Sequence, residues 1–392
     1  HFHKAIDIKP DFAEAHNNLG ITLKDLGRLD DAVDHYYKAI DIKPDYAKAH
    51  NNLGNVLKTL ERLNDAVAHY QRAIDIKPDY AEAYYNLGIT LQNQGNADAA
   101  AKQLDLALSY KPEKVGWRIR KALLLPVIPS SLEDIQNRRE TLDKAIKILL
   151  KQELNMEDPT VEVGTTNFYL AYHSRNNRSL LQDIAKLYIA AFPRLTYEAK
   201  HCRSDQNREK GVLRIGFLSS FLRDHTIGKL ARGMIQYFSR ELFEVIVFRP
   251  PGKKDHMSEM IDQAADEVIS LHRNLERDQK IIEKEELDIL FYLDIGMDSY
   301  TYFLSFARLA PVQAVTIGHA ETSGVPNIDY FVSSEMTEPT GASDYYSEQL
   351  IKLRYLPTYY YQPKVPVKPY TRDDYGLPEI VRLYIYPQTL FK

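Results

Sequence analysis

Small and apolar residues recur through the first quarter of the chain at a fixed interval of 34 residues. A-H-N-N-L-G stands at Ala15–Gly20 and again at Ala49–Gly54, and returns as A-Y-Y-N-L-G at Ala83–Gly88. Pro10, Pro44, Pro78 and Pro112 keep the same step, as do Ala5, Ala39, Ala73 and Ala107. This is the period and pattern of tetratricopeptide repeats, each a pair of helices. Gly20, Gly54, Ala32, Ala66 and Ala100 let the two helices approach, while Leu19, Leu53, Leu87, Tyr36 and Tyr70 fill the space between them. Each proline ends one hairpin and starts the next. Units are expected at 11–44, 45–78 and 79–112, with 1–10 the tail of an upstream unit, so that repeats occupy 1–112.

Stacked units present a concave face suited to extended peptides. Asn18, Asn52 and Asn86 occur once per unit, just before the core leucine. A carboxamide donates and accepts at once, so this ladder could grip the backbone of a protein acceptor. Equally, the asparagines could cap local backbone or face water, and both readings stay open. His16 and His50, at equivalent positions, read as part of the repeat rather than as metal ligands.

The period fades after Pro112, in a stretch at 113–210 that reads as a helical linker. Lys114–Leu125 and Leu132–Leu154 are helical by spacing, interrupted by Pro126 and Pro129. Trp117 reads as core between the array and the region after it. His173 reads as a hydrogen-bonded structural residue, and 194–210 as a polar connection.

From Val212 the pattern changes to short β-branched runs alternating with helices. Strands are predicted at Val212–Ser219, Glu244–Arg249, Glu267–Leu271, Ile289–Leu293, Val312–Ile317, Tyr330–Ser333 and Leu350–Leu353. Helices are predicted at Lys229–Phe238, Met257–Ala265 and Asn274–Lys284. The expectation is a Rossmann-like, mostly parallel α/β lobe at 211–380. Neither G-x-G-x-x-G after the first strand nor G-x-x-x-x-G-K-[ST] occurs.

Three loops carry the candidate chemistry, because ligands of open α/β sheets gather where strands end. After the first strand comes S-S-F-L-R-D-H-T-I-G, which places His225 before a helix. Asp294 and Gly296 follow another strand. G-H-A-E-T-S-G at Gly318–Gly324 follows a third, with glycines that permit close approach to a ligand and hydroxyls that can hold phosphate or sugar oxygens. Loops after strands of one sheet converge on one cleft.

Composition adds limits. A net charge of −4 compels neither a nucleic-acid nor an anionic-membrane partner. Cys202 is the only cysteine, which excludes disulfides within the chain and cysteine-based zinc sites and favours a reducing, cytoplasmic setting. No apolar run approaches the roughly 18–20 residues of a transmembrane helix. A first residue other than Met and the abrupt end at Lys392 give the expectation of a fragment.

R-I-G-F-L-S-S-F-L-R-D-H-T-I-G-K-L at Arg214–Leu230, A-R-L-A-P-V-Q-A-V-T-I-G-H-A-E-T-S-G-V-P-N-I-D-Y-F-V-S-S from Ala307, and E-P-T-G-A-S-D-Y-Y-S-E-Q-L-I-K-L from Glu338 carry a resemblance. With the repeats, they resemble the protein O-linked N-acetylglucosamine transferase/SPINDLY family, bacterial members most. The resemblance implies a tetratricopeptide superhelix followed by the N-terminal lobe of a GT-B glycosyltransferase. It further implies an inverting transfer, without metal or other cofactor, from a nucleotide sugar such as UDP-N-acetylglucosamine to Ser or Thr of intracellular proteins. Under it, His225 is the catalytic histidine of the cleft and a candidate general base. Gly318, His319, Thr322, Ser323, Gly324 and Lys392 are substrate-binding; Lys392 meets the donor diphosphate. Animal members have tyrosine and proline where this chain has His319 and Ala320, and a second family histidine falls on Asp288 and is not carried over. The second, nucleotide-binding lobe would begin at 381–392, so the fragment is expected to be inactive alone. Rival readings are a repeat scaffold with a non-catalytic lobe, or fucose transfer from GDP-fucose.

Overall fold

A computed structural model describes residues 2–203, 211–316, 318, 321–359, 361 and 371–377. Helix α1 (Phe2–Ile8) precedes three antiparallel hairpins: α2 (Ala13–Asp25) with α3 (Leu29–Ile42), α4 (Ala47–Thr59) with α5 (Leu63–Ile76), and α6 (Ala81–Asn93) with α7 (Ala97–Tyr110). Within a hairpin the glycine lets the partner's aromatic ring touch backbone. A Cβ on Gly54 would lie 2.6 Å from the Tyr70 ring, and one on Gly20 would lie 2.8 Å from Tyr36. Both tyrosines are fully buried.

Neighbouring units are tied by amides. Asn52 Nδ2 donates to Asn17 Oδ1 of the preceding unit at 3.0 Å, and Asn86 Nδ2 donates to Asn51 Oδ1 at 3.0 Å. Asn17 in turn donates to Asn18 at 3.3 Å. The repeated asparagines therefore neither cap helices nor simply face water. Asn52 and Asn86 bridge units through a second, buried row, each bond worth about 1 kcal/mol. His16 and His50 are internal to the repeats as expected, paired through Nδ1 with His35 and His69 at 3.0 Å.

Beyond the array come α8 (Val115–Ala122), α9 (Leu132–Leu149), the single turn α10 (Pro159–Glu162) and α11 (Arg178–Ala191). Trp117 stacks on Tyr85 with ring centroids 4.4 Å apart, closing the end of the last repeat. Helix α9 stops five residues earlier than its apolar spacing predicts. Leu154 and Met156 instead turn into the core, where Met156 N donates to Ala191 O at 2.9 Å.

Seven parallel strands follow: β1 (Leu213–Leu218), β2 (Phe243–Arg249), β3 (Glu267–Ser270), β4 (Ile289–Tyr292), β5 (Val312–Thr316), β6 (Tyr330–Ser334) and β7 (Gln349–Leu353). Their order is β3-β2-β1-β4-β5-β6-β7, the doubly wound arrangement with its switch point between β1 and β4. Crossover helices are α12 (Thr226–Tyr237), α13 (His256–Ala264), α14 (Leu275–Lys284) and α15 (Ser299–Leu304). The last was not legible from spacing, because S-Y-T-Y-F-L is short and rich in weak helix formers.

Alternation along β1 sorts the core into two faces. Ile215 and Phe217 pack with Val245, Val247 and the α12 residues Ile227 and Ala231. Leu218 lies on the other face in a cluster that runs through Phe248, Tyr292 and Phe303 to Leu181, Ile184 and Tyr188 of α11 and Leu142 and Ile146 of α9. The region read as a linker is thus largely a covering layer of the sheet. Its helices share the lobe's core rather than spanning between two cores.

Substituting the repeat glycines tests the hairpin packing. Gly54→Ala should destabilise the array by about 1–3 kcal/mol, because the Tyr70 ring has no slack. Gly88→Ala, whose Cβ would meet the Leu104 side chain at 3.1 Å, should lose less. Urea unfolding followed by helical circular dichroism reads both, and equal losses would contradict the account.

Candidate functional site

The chain leaves β1 at the switch point through Ser219 and Ser220 and must satisfy backbone groups that no longer pair with strands. A carboxylate from β4's loop does this. Asp294, completely buried, accepts from Ser219 Oγ at 3.0 Å and from Ser220 N at 2.8 Å through one oxygen. Its other oxygen, Oδ1, is buried with no partner among the described residues. Burial, and then the nearby Asp298 charge, pushes its pKa up to about 7.

The next residues are held from the opposite side. Arg249, the last residue of β2, donates to Leu222 O at 2.9 Å while its guanidinium pairs with Asp262 of α13. Asp224 N donates at 2.8 Å to Asp255, which also caps α13. A Cβ on Gly228 would lie 2.1 Å from Arg223 O, so only glycine lets the loop lie against the first turn of α12. Arg249 and Asp255 were missed in the sequence because nothing local relates them to a loop some thirty residues earlier.

His225 ends this loop as the N-cap of α12, its Nδ1 accepting from Ile227 N at 3.2 Å. The imidazole stacks on Phe221, with centroids 4.6 Å apart and planes at 27°. Its pKa is lowered by partial burial first, and then by Arg223 and Lys229. His225 is partly exposed at the switch point, in the loop before a helix where the sequence placed it.

The G-H-A-E-T-S-G loop behaves differently from expectation. Thr322 Oγ1 donates to Glu348 at 2.6 Å, Ser323 N donates to Glu348 at 2.7 Å, and Ser323 Oγ donates to the same carboxylate. Thr322, Ser323 and Glu348 are all buried. These hydroxyls secure the loop to the segment before β7 and are not presented to phosphate or sugar oxygens. Its glycines serve intramolecular approach too: a Cβ on Gly318 would sit 1.8 Å from Leu293 O, and one on Gly324 2.5 Å from the Leu181 backbone.

The loop's two ends also face different spaces. Gly318 lines a small recess with Ile227, Ala231 and Thr358, beside the helix that His225 caps. Thr322 borders another cavity, of about 440 Å³, with Glu321, Arg175, Asn177, Glu338 and Tyr346. Glu321 bonds to Asn177, and burial pushes its pKa up to about 7. Gly318 thus lies in the recess beside α12, whereas Thr322 lies at the other cavity. His319 and Lys392 lie outside the described residues. His173 is buried as expected for a structural residue, but neither ring nitrogen has a partner among the described residues.

Comparisons with known proteins agree with this layout. The model described as Glycosyl transferase family 41 matches residues 134–363. Tetratricopeptide models match residues 1–34, 22–61, 59–95 and 81–114. A probable UDP-N-acetylglucosamine–peptide N-acetylglucosaminyltransferase of Arabidopsis thaliana, SEC, is 27% identical over 206 residues, 47% of this chain and 20% of that protein. A UDP-glucose:protein N-beta-glucosyltransferase of Actinobacillus pleuropneumoniae serotype 5b is 30% identical over 143 residues, 34% of this chain and 20% of that protein. The chain thus matches about a fifth of the length of these curated relatives. A solved O-GlcNAc transferase variant from Thermobaculum terrenum shares the fold, with a TM-score of 0.60 at 20% identity, over 88% of this chain and 58% of that one. No helix among the described residues is long and apolar enough to cross a membrane.

Asp294 gives the lobe a pH signature. Its folded pKa of about 7 lies above the ordinary 3.8, so between those values the folded lobe holds a proton that the unfolded chain has released. Its stability contribution is complete below about pH 4 and is lost as pH rises through about 7. The span is at most on the order of 4 kcal/mol. Urea unfolding across that range should show stability declining with pH in the wild type and a flatter profile in Asp294→Asn. Parallel profiles would contradict the burial argument.

Proposed function

For a chain that belongs to glycosyl transferase family 41, we propose transfer of a sugar from a nucleotide donor to side-chain hydroxyls of proteins, with the repeats recruiting the acceptor. The observation that carries this reading is the fixed histidine-capped loop at the switch point of the sheet, in a chain that begins with a repeat array. Such a position receives nucleotide-type ligands in doubly wound sheets.

During transfer the anomeric carbon gains positive character while the diphosphate departs with negative charge. On this reading the first turn of α12 and the cations Arg223 and Lys229 favour that charge. On this reading His225 is the residue of this lobe that meets the reacting groups, with Gly318 in the recess beside α12. Lys392, carried by the resemblance alone, would meet the diphosphate. The reaction is read as inverting and metal-independent, with positioned charges doing the work a metal does in other transferases. A cytoplasmic setting, with intracellular protein acceptors, belongs to the same reading.

UDP-N-acetylglucosamine is the favoured donor, since most similar relatives are described by that sugar. The protein N-glucosyltransferase among them keeps UDP-glucose in play, and the family resemblance keeps GDP-fucose. For the acceptor, Asn18, Asn52 and Asn86 lie half-buried along the array, and Asn52 and Asn86 spend only their amide hydrogens on the bridges between units. Their carbonyl oxygens remain for a peptide N–H.

The full-length protein incubated with each of the three donors and a protein acceptor, followed by intact-mass measurement, tests the reading. The expected result is a mass gain of one N-acetylhexosamine from UDP-N-acetylglucosamine, undiminished by a metal chelator. Replacing Asn18, Asn52 and Asn86 together by Ala should slow modification of proteins more than of short peptides. Capture of proteins by the repeats without turnover of any donor would instead favour the scaffold.

A further inference from the structure

The geometry points to His225 acting as a hydrogen-bond donor through Nε2, rather than as the base that takes the acceptor's proton. This deepens the proposed function and rests on it for the identity of the ligand, although the state of the ring can be tested without it.

An imidazole nitrogen accepts a hydrogen bond only through an unprotonated lone pair. Nδ1 of His225 accepts the Ile227 N–H at 3.2 Å, so a neutral ring carries its single proton on Nε2. For Nε2 to serve as a base, the proton would have to move to Nδ1. It would then confront the Ile227 N–H and the helix cap would be lost. Loss of a side-chain N-cap typically costs about 1 kcal/mol, a bias of roughly tenfold or less toward the Nε2–H form from this contact alone.

Other contacts remove the routes around that bias. Turning the ring over about Cβ–Cγ would present carbon in place of Nδ1 to Ile227. Moving the ring away is opposed by its stacking on Phe221, which the Arg223 guanidinium overlies at 5.8 Å. Moving the loop is opposed by the Arg249–Leu222 and Asp224–Asp255 bonds and by the contact of Gly228 with Arg223. The charged groups around the ring are Arg223, Lys229 with its partner Asp224 at 2.8 Å, and Asp255 across from α13. Arg223 and Lys229 oppose a second proton on the ring, and both carboxylates are already engaged.

The remaining nitrogen, Nε2, has no partner among the described residues, and its ring is half-exposed. A neutral N–H there, among cations, suits an oxygen bearing negative charge. The fitting ligand atom is a phosphate oxygen of the nucleotide sugar, whose charge grows as the diphosphate leaves. His225 then assists departure by hydrogen bonding, and the hydroxyl proton passes to another group.

Histidine-selective nitrogen-15 labelling of the chain, with the His225 signals assigned by their loss in His225→Asn, reads the tautomer directly. The expected result at about pH 7.5 is an unprotonated Nδ1 and a protonated Nε2. A protonated Nδ1 with a bare Nε2, or an even mixture, would overturn the proposal. In the full-length protein, two variants separate the roles. Asn can cap α12 through its carbonyl but cannot reach the ligand, whereas Gln can place an N–H near the position of Nε2 but has no basic nitrogen. His225→Gln should retain about tenfold more transfer than His225→Asn, with an unchanged pH profile. Equal loss in both, with the pH profile altered, would show a base. If no sugar is transferred by the wild type, the proposed function fails while the nitrogen spectra still decide the tautomer.

Discussion

A single buried carboxylate joins the two strand ends on either side of the sheet's switch point. Asp294 is shut away from water and raised in pKa, which is an unfavourable place for a charge. It is retained because one of its oxygens satisfies both the Ser219 hydroxyl and the Ser220 amide where β1 leaves the sheet. Without it, the exit from β1 would bury unpaired polar groups. The direction of the chain toward Phe221 and His225 follows from that exit. Arg249 and Asp255 complete the arrangement from β2 and α13, so that the loop is fixed by side chains from three neighbours.

The same economy of intramolecular bonding explains the G-H-A-E-T-S-G loop. Its hydroxyl-rich half is bound to Glu348, and its glycines allow contact with the backbones of β4's exit and α11. The features that look made for a ligand fasten the loop within the protein, Thr322 and Ser323 to Glu348 before β7 and Gly324 against α11. Only the first glycine faces the recess beside α12. The repeats behave alike: asparagines that could read as a peptide-gripping ladder first knit successive units to one another.

What was legible in the sequence had local causes. A 34-residue period and alternation of β-branched runs are imposed by close helix packing and by pleated strands, and both leave their mark in consecutive residues. All seven strands, the repeat hairpins and the position of His225 were visible for that reason. What was not legible depends on partners far along the chain. The Asp294 and Ser220 pair, the Glu348 and Ser323 pair, and the packing of α9 and α11 on the sheet connect residues that no window spans. The tautomer of His225 lies between these cases. A histidine before a helix is visible, but that it fills the cap with Nδ1 depends on the angle at which the loop is held.

The central claim is that the loop carrying His225 is built before any ligand arrives, and amide hydrogen exchange tests it most directly. Ser220, Asp224 and Ile227 donate their N–H groups to Asp294, Asp255 and His225 respectively. In the free chain these amides should exchange at least about tenfold more slowly than in unstructured peptide, with little change when UDP is added. Exchange at unstructured rates in the free chain, with protection arising only on adding UDP, would mean that the ligand organises the loop and would contradict the account.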